Sequence, residues 1–175
     1  MKFPISLVQK HFNSPLGPII LVASDQALVG AWFDDQEHLP IEIQGRSAWH
    51  NAPEHPVLRH ASRQFKEYFD GQRKVFELPL DLSYGTAFQQ AVWQVLLKIP
   101  LGHTCCYADV ASAIAKPKAM RAVGAAVGRN PLSVIVPCHR VIGADGSLTG
   151  YAGGLERKTY LLQLEGGQNP QETLL

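Results

Sequence analysis

The sequence predicts an α/β protein of the α+β type, built in two parts. A small N-terminal α+β domain covers residues 1–84, and a mostly helical C-terminal domain with a helix-turn-helix covers residues 85–167, followed by a disordered tail at 168–175. Three observations predict this. Extended, β-branched apolar stretches fill the first part of the chain. Apolar residues at helical spacing dominate after Thr86. Between them, Leu82-Ser83-Tyr84-Gly85 breaks both patterns and marks the boundary.

The N-terminal part opens with three extended stretches at residues 5–12, 19–23 and 27–33. Ser14-Pro15-Leu16-Gly17-Pro18 and Ser24-Asp25-Gln26 supply the turns. Residues 34–54, with several acids and two prolines, read as a loop. Pro56 suits a first helical position, where no N–H is needed. Leu58, Ala61, Phe65, Tyr68 and Phe69 then recur at helical spacing up to Gly71. Residues 75–82 alternate roughly and read as a further strand. No catalytic grouping occurs in this part, so it reads as a scaffold.

The C-terminal part begins with a capping-box signal, Thr86-Ala87-Phe88-Gln89. Phe88, Ala91, Val92, Val95, Leu96 and Ile99 follow as one amphipathic stripe, which Pro100-Leu101-Gly102 ends. A second helix at 107–115 turns Val110, Ala111 and Ile114 inward, and Lys116-Pro117-Lys118 leads into a third at 119–127. Two short helices joined by a tight turn make a helix-turn-helix. The third is small on every side (Ala119, Ala122, Gly124, Ala125, Ala126). That suits close packing on another helix or close approach to a nucleic-acid groove. Asn130-Pro131 and Asp145-Gly146 read as turns, the latter of a hairpin. Gly150-Tyr151-Ala152-Gly153-Gly154 is a glycine-rich loop without the Lys/Ser pattern of a phosphate cradle. Leu155, Lys158, Leu161, Leu162 and Glu165 fit a last helix, stopped by Gly166-Gly167.

At 175 residues and 46% hydrophobic content the chain can bury a sizeable core. No apolar run reaches the ~18 residues of a spanning helix. Met1-Lys2-Phe3-Pro4 lacks a signal-peptide core, so a cytoplasmic protein is expected, with no membrane partner. Three cysteines, two of them adjacent (Cys105, Cys106), make a poor disulfide framework and fit a reducing compartment. They offer no usable C-x-x-C spacing even with His103 nearby, so neither a metal nor another cofactor is expected. Net charge is only +1, yet residues 86–165 carry eight Lys/Arg against four Asp/Glu, and residues 1–85 eight against ten. The C-terminal part is therefore the one suited to phosphates.

The chemistry concentrates in Val134-Ile135-Val136-Pro137-Cys138-His139-Arg140-Val141-Ile142. It reads as a buried strand interrupted at Pro137, which cannot donate to a ladder. The interruption presents a thiol and an imidazole. Neighbours on an extended chain point to opposite faces, so a water between Cys138 and His139 is the easier geometry. Alone, Cys138 also fits a buried small hydrophobe; as thiolate, with an imidazole to draw off its proton, it is a nucleophile.

Pro137-Cys138-His139-Arg140-Val141 resembles the active-site motif of the O6-alkylguanine-DNA alkyltransferases. The resemblance runs through Thr86-Ala87-Phe88-Gln89, Arg121-Ala122-Val123-Gly124, Asn130-Pro131 and Tyr151-Ala152-Gly153-Gly154 to Leu162 and Glu165-Gly166, nearly half the chain. It implies a ribonuclease-H-like N-terminal domain and a monomer of the stand-alone bacterial type. Such a protein binds double-stranded DNA containing O6-alkylguanine through the minor groove. It flips the damaged base and transfers the alkyl group irreversibly to Cys138, one lesion per molecule, with O4-alkylthymine as a second substrate.

By the same resemblance Glu165 orients His139, Asn130 hydrogen-bonds around the nucleophile's loop, and the Tyr107 hydroxyl bonds the guanine ring nitrogen. Arg121 fills the vacated stack, with Ala119, Ala122, Gly124 and Arg129 also against the DNA. The Val141 amide, Tyr151, Ala152, Gly153 and Ser133 line the base pocket. Ala152 stands where some members carry a hydroxyl and Ser133 where some carry proline, which leaves tolerance for bulky adducts open. Two rivals stand beside this reading: a lesion-binding alkyltransferase-like protein, which lacks the nucleophile, and a cysteine hydrolase using Cys138-His139-Glu165.

Overall fold

A computed structural model describes residues 1–44 and 49–166. The expected tail at 168–175, Gly167 and residues 45–48 of the expected loop lie outside the described residues. The chain divides into two compact units, Met1–Gly85 with Pro131–Ser133, and Thr86–Asn130 with Val134–Leu175.

In the first unit, β1 (Val8–Ser14), β2 (Gly17–Ala23) and β3 (Leu28–Phe33) form an antiparallel meander. The first turn is closed by the Ser14 hydroxyl, which donates to the Gly17 carbonyl at 2.6 Å, while Gly17 takes φ 103°. A short helix α1 (Ile41–Gln44) and a two-residue strand β4 (His50–Asn51) interrupt the expected loop. β4 joins the sheet parallel to β1, giving the order β3-β2-β1-β4.

β3 is buried along its whole length, as is β2 beyond its first two residues, so alternation is weak and the apolar run continuous. Phe3, Leu7, Ile20, Val22, Val29, Trp32 and Trp49 form one core cluster. Helix α2 (Pro56–Phe69) packs on the sheet with the five residues expected from its spacing all buried.

The expected strand at 75–82 is not formed. Only Leu80 makes a bridge, with Leu28, flanked by Leu28 N–H to the Pro79 carbonyl at 2.8 Å and Asp81 N–H to the Leu28 carbonyl at 3.0 Å. Pro79 has no N–H to continue a ladder. The buried Gln64 side chain holds the segment instead, accepting from Glu77 N–H at 2.8 Å and donating to its carbonyl at 2.9 Å.

Pro131–Ser133 also belongs to this unit. Ala31 N–H donates to the Pro131 carbonyl and Ser133 N–H to the Ala31 carbonyl, both at 2.8 Å. The Ser133 hydroxyl donates to Gln36 Oε1 at 2.9 Å.

In the second unit Thr86 caps α3 (Ala87–Leu96) with the reciprocal Thr86–Gln89 box. Val92, Leu96 and Ile99 are buried as the stripe requires, but Ala91 is exposed and the buried neighbour is Trp93. Trp93 is drawn in because its indole N–H satisfies the Ala126 carbonyl at 2.9 Å, in the last turn of α5 (Met120–Gly128). Helix α4 (Tyr107–Ala113) is joined to α5 through residues 114–119, and both pack with α3. Cys105–Cys106 forms β5, parallel to β6 (Val141–Ile142), and α6 (Leu155–Leu164) closes the unit. Asp145-Gly146 does form a turn, with Gly146 at φ 80° and Gly143 N–H bonded to the Ser147 carbonyl, but no return strand follows. Among the described residues no helix is long and apolar enough to cross a membrane.

Candidate active site

The run 134–136 is buried as expected but is not a strand. Val134 sits at φ 74°, a region a β-branched residue enters at a cost of about 1–3 kcal/mol. Pro137, at φ −81° and ψ 63°, centres a tight turn in which Cys138 N–H bonds the Val136 carbonyl at 2.8 Å. The chain then winds into one turn of 3-10 helix, Cys138–Arg140, before entering β6. A short apolar run does not distinguish strand from coil when both bury it; the strained turn and 3-10 winding set the direction of each active side chain.

Cys138 is 5% exposed. The Asn130 amide holds it from the side: Nδ2 donates to the Val136 carbonyl at 2.7 Å and to Cys138 Sγ at 3.1 Å. One group thereby fixes both the turn and the sulfur. Burial pushes the Cys138 thiol up, against the Asn130 hydrogen bond and the positive charge of Lys158.

His139 and Glu165 are buried together, Nε2 to Oε1 at 2.8 Å. Arg140 completes the cluster, Nε to Glu165 Oε2 at 2.8 Å and Nη2 to Oε1 at 2.9 Å, with Nη1 on the Ile99 carbonyl. Burial by itself would raise the Glu165 carboxyl, but the hydrogen bonds and charges of His139 and Arg140 prevail and hold it down at about 2. Burial pushes His139 below 6.5, opposed by Glu165 and aided by Arg140 and Lys158. At neutral pH the ring is therefore uncharged. Since a carboxylate can only accept, Nε2 carries the proton and Nδ1 keeps a lone pair. Nδ1 is buried with no protein partner, so the thiol and the imidazole do not bond directly.

Lys158 and Arg140 are functional candidates that the reading of the sequence did not assign a role. Lys158 is fully buried; Nζ donates to the carbonyls of Val141 at 2.6 Å and Thr149 at 2.7 Å, tying β6 to the approach of the glycine-rich loop. Burial lowers it to about 8, partly offset by Cys138. The signal was present in both cases: a cation inside an otherwise apolar run or stripe must find a buried partner.

A cavity of about 560 Å³, within the range of small-ligand sites, opens on this unit beside Tyr107, Arg121, Gly124, Cys106, Met120 and Gly150. The Tyr107 hydroxyl donates to the Thr149 carbonyl at a long 3.4 Å, and burial raises it, so it stays protonated. Gly150, at φ 52°, leaves only 3.2 Å between an added Cβ and that hydroxyl.

The other expected contacts lie elsewhere. Ala122 and Arg129 are exposed on α5 and at its end, Ala119 caps its start, and none lines this cavity. Ser133 is engaged with Gln36 in the first unit. The Val141 N–H, expected to face a base, bonds the Cys138 carbonyl, because the 3-10 turn uses it. Tyr151, Ala152 and Gly153 also fall outside the cavity lining. Tyr151 presents its ring edge to His139 at 6.5 Å between centroids, and its hydroxyl is buried without a protein partner. Among the described residues no group of three or more His, Cys, Asp or Glu could hold a metal.

Residues 7–82 match the ribonuclease-like domain of 6-O-methylguanine DNA methyltransferase, and residues 87–167 match its DNA binding domain. This chain belongs to the 6-O-methylguanine DNA methyltransferase family. It is 41% identical to a methylated-DNA–protein-cysteine methyltransferase of Haemophilus influenzae, over 91% of this chain and 87% of that one. A protein of the same name from Methanosarcina acetivorans is 46% identical, over 89% and 96%. The fold is similar to that of Mycobacterium tuberculosis OGT in complex with DNA, with a TM-score of 0.81 at 43% identity over 90% of this chain and 92% of that one. Asn130, Cys138, His139 and Glu165 are all buried, with Asn130 bonded to Cys138 and His139 to Glu165, while Tyr107 and Arg121 line the open cavity.

Proposed function

We propose that this protein repairs O6-alkylguanine in DNA, and O4-alkylthymine with it, by moving the alkyl group from the flipped base to Cys138. The observation that carries the reading is the pairing of an Asn130-held thiol with an imidazole whose tautomer Glu165 and Arg140 fix. The thiol is protonated at rest, so the reaction needs a base, and the Nδ1 lone pair of His139 is that base, acting through one water. The proton goes to His139, whose new charge faces Glu165. Sulfur attacks the saturated carbon on O6; the S–C bond forms as the C–O6 bond breaks, and the electron pair leaves with guanine. The protonated Tyr107 hydroxyl donates a hydrogen bond to the departing base.

The product thioether offers no acyl carbon for water to attack, so the thiol is not regenerated and each molecule acts once. Arg121 fills the space the base vacates, α5 enters the minor groove as the second helix of a helix-turn-helix, and the protein works as a cytoplasmic monomer. A cysteine hydrolase would seat its imidazole directly on the thiol, and no such bond is formed. The test is peptide mapping after incubation with a duplex carrying O6-methylguanine with a labelled methyl group. Label on the peptide containing Cys138 is expected; label on Cys105 or Cys106, or none, would refute the assignment.

A further inference from the structure

Met120 is the first residue of α5 and half exposed. The helix is otherwise small-sided, so this long side chain is its one large apolar projection. Its neighbour Arg121 is also exposed, and the guanidinium has no acceptor among the described residues. Both line the cavity that holds Tyr107 and Gly124. Lys116 and Lys118, just before the helix, are exposed as well, Lys116 lying 5.6 Å from the Phe88 ring centroid. The second unit therefore presents an uncovered apolar side chain next to Arg121 on the lining of a small-ligand-sized cavity, with Lys116 and Lys118 exposed on the segment that leads into the helix.

Cations in this arrangement match phosphates, and the segment lies in the match to a DNA binding domain. An apolar residue among them has a different use. Proteins that open a duplex insert Met, Leu, Ile, Phe or Pro between base steps and so offset the unstacking. Methionine suits an irregular opened stack because it is unbranched and polarizable.

We propose that Met120 is the apolar half of a wedge whose charged half is Arg121, and that it sets how efficiently a damaged base is captured out of duplex DNA. This rests on the alkyl-transfer reading above. Arg121 fills the vacated position, and Met120 covers the face of the adjoining base pair that flipping exposes. The free base has no stack to open, so Met120 matters mainly for the duplex.

The test compares second-order rates of methyl transfer from O6-methylguanine in a duplex and as the free base, for wild type, Met120→Ala, Met120→Gln and Met120→Leu. Met120→Gln keeps the length and removes the apolar character; Met120→Leu keeps the apolar character. The expected result is a ratio of duplex to free-base rate lowered roughly fivefold to tenfold in the Ala and Gln variants, as for re-exposing part of one apolar side chain, and restored by Leu. An unchanged ratio in Met120→Ala and Met120→Gln, with wild type active, overturns this inference alone. Equal losses on both substrates also overturn it and make Met120 a support of the cavity. No transfer by wild type from either substrate overturns the alkyl-transfer reading and this inference with it.

Discussion

Replacing Glu165 by Gln removes the charge on which His139 and Arg140 converge. The structure sets the size of the effect. Glu165 lies at about 2 in the folded protein against an ordinary 4.5. At about 1.4 kcal/mol per pH unit this corresponds to about 3 kcal/mol of stability. That agrees with the ~3–5 kcal/mol typical of breaking a buried pair on one side. Glutamine still accepts from His139, but its amide N–H groups face the Arg140 guanidinium, donor against donor. Urea unfolding near neutral pH should show the variant weaker by about 3 kcal/mol, or roughly 6–12 °C in Tm at about 2–4 °C per kcal/mol.

The pH dependence follows from the depressed folded value. The contribution is complete above about 4.5 and is lost as pH falls through about 2, so the gap between wild type and variant should be roughly halved by about pH 3. A gap under about 1 kcal/mol at neutral pH, or one that stays constant down to about pH 3, would refute the reasoning.

Cys138→Ser should abolish alkyl transfer while duplex binding, read by gel shift, persists, because a hydroxyl near neutral pH is a far poorer nucleophile. Arg121→Ala should slow repair of duplex DNA much more than reaction with the free base; equal losses would mean that Arg121 supports the fold or the cavity. In a pH–rate profile the rate should hold below 6.5 and fall only at more acid pH, because burial lowers His139 and the neutral ring is the active form. The amount transferred should not change across that profile.

Local signals with a single physical cause were readable from sequence. The Thr86–Gln89 box and the α2 stripe from Leu58 to Phe69 need only neighbours along the chain, and both are formed. Residues 75–82 alternate like a strand, but they are mostly exposed or half-buried and Pro79 cannot continue a ladder; 134–136 is an apolar, β-branched run that buries equally well without one, and the strained Val134 decides against a strand. Trp93 lies outside the periodic stripe, and its burial depends on a carbonyl 33 residues away. Within the site, Cys138 and His139 stood out as chemistry. Arg140 and Lys158 did not, since a charged side chain reveals its purpose only when its buried acceptors, here Glu165 and the Val141 and Thr149 carbonyls, are in place.

The central claim is transfer to a thiol that nothing in the site can restore. Intact-mass spectrometry of the protein mixed with excess O6-methylguanine duplex measures it most directly. The expected spectrum shows a single methyl group in place of one proton, complete conversion, and one equivalent of repaired guanine per protein molecule, with no further product over time. Continued product formation beyond one equivalent, or an unmodified protein beside repaired DNA, would contradict it.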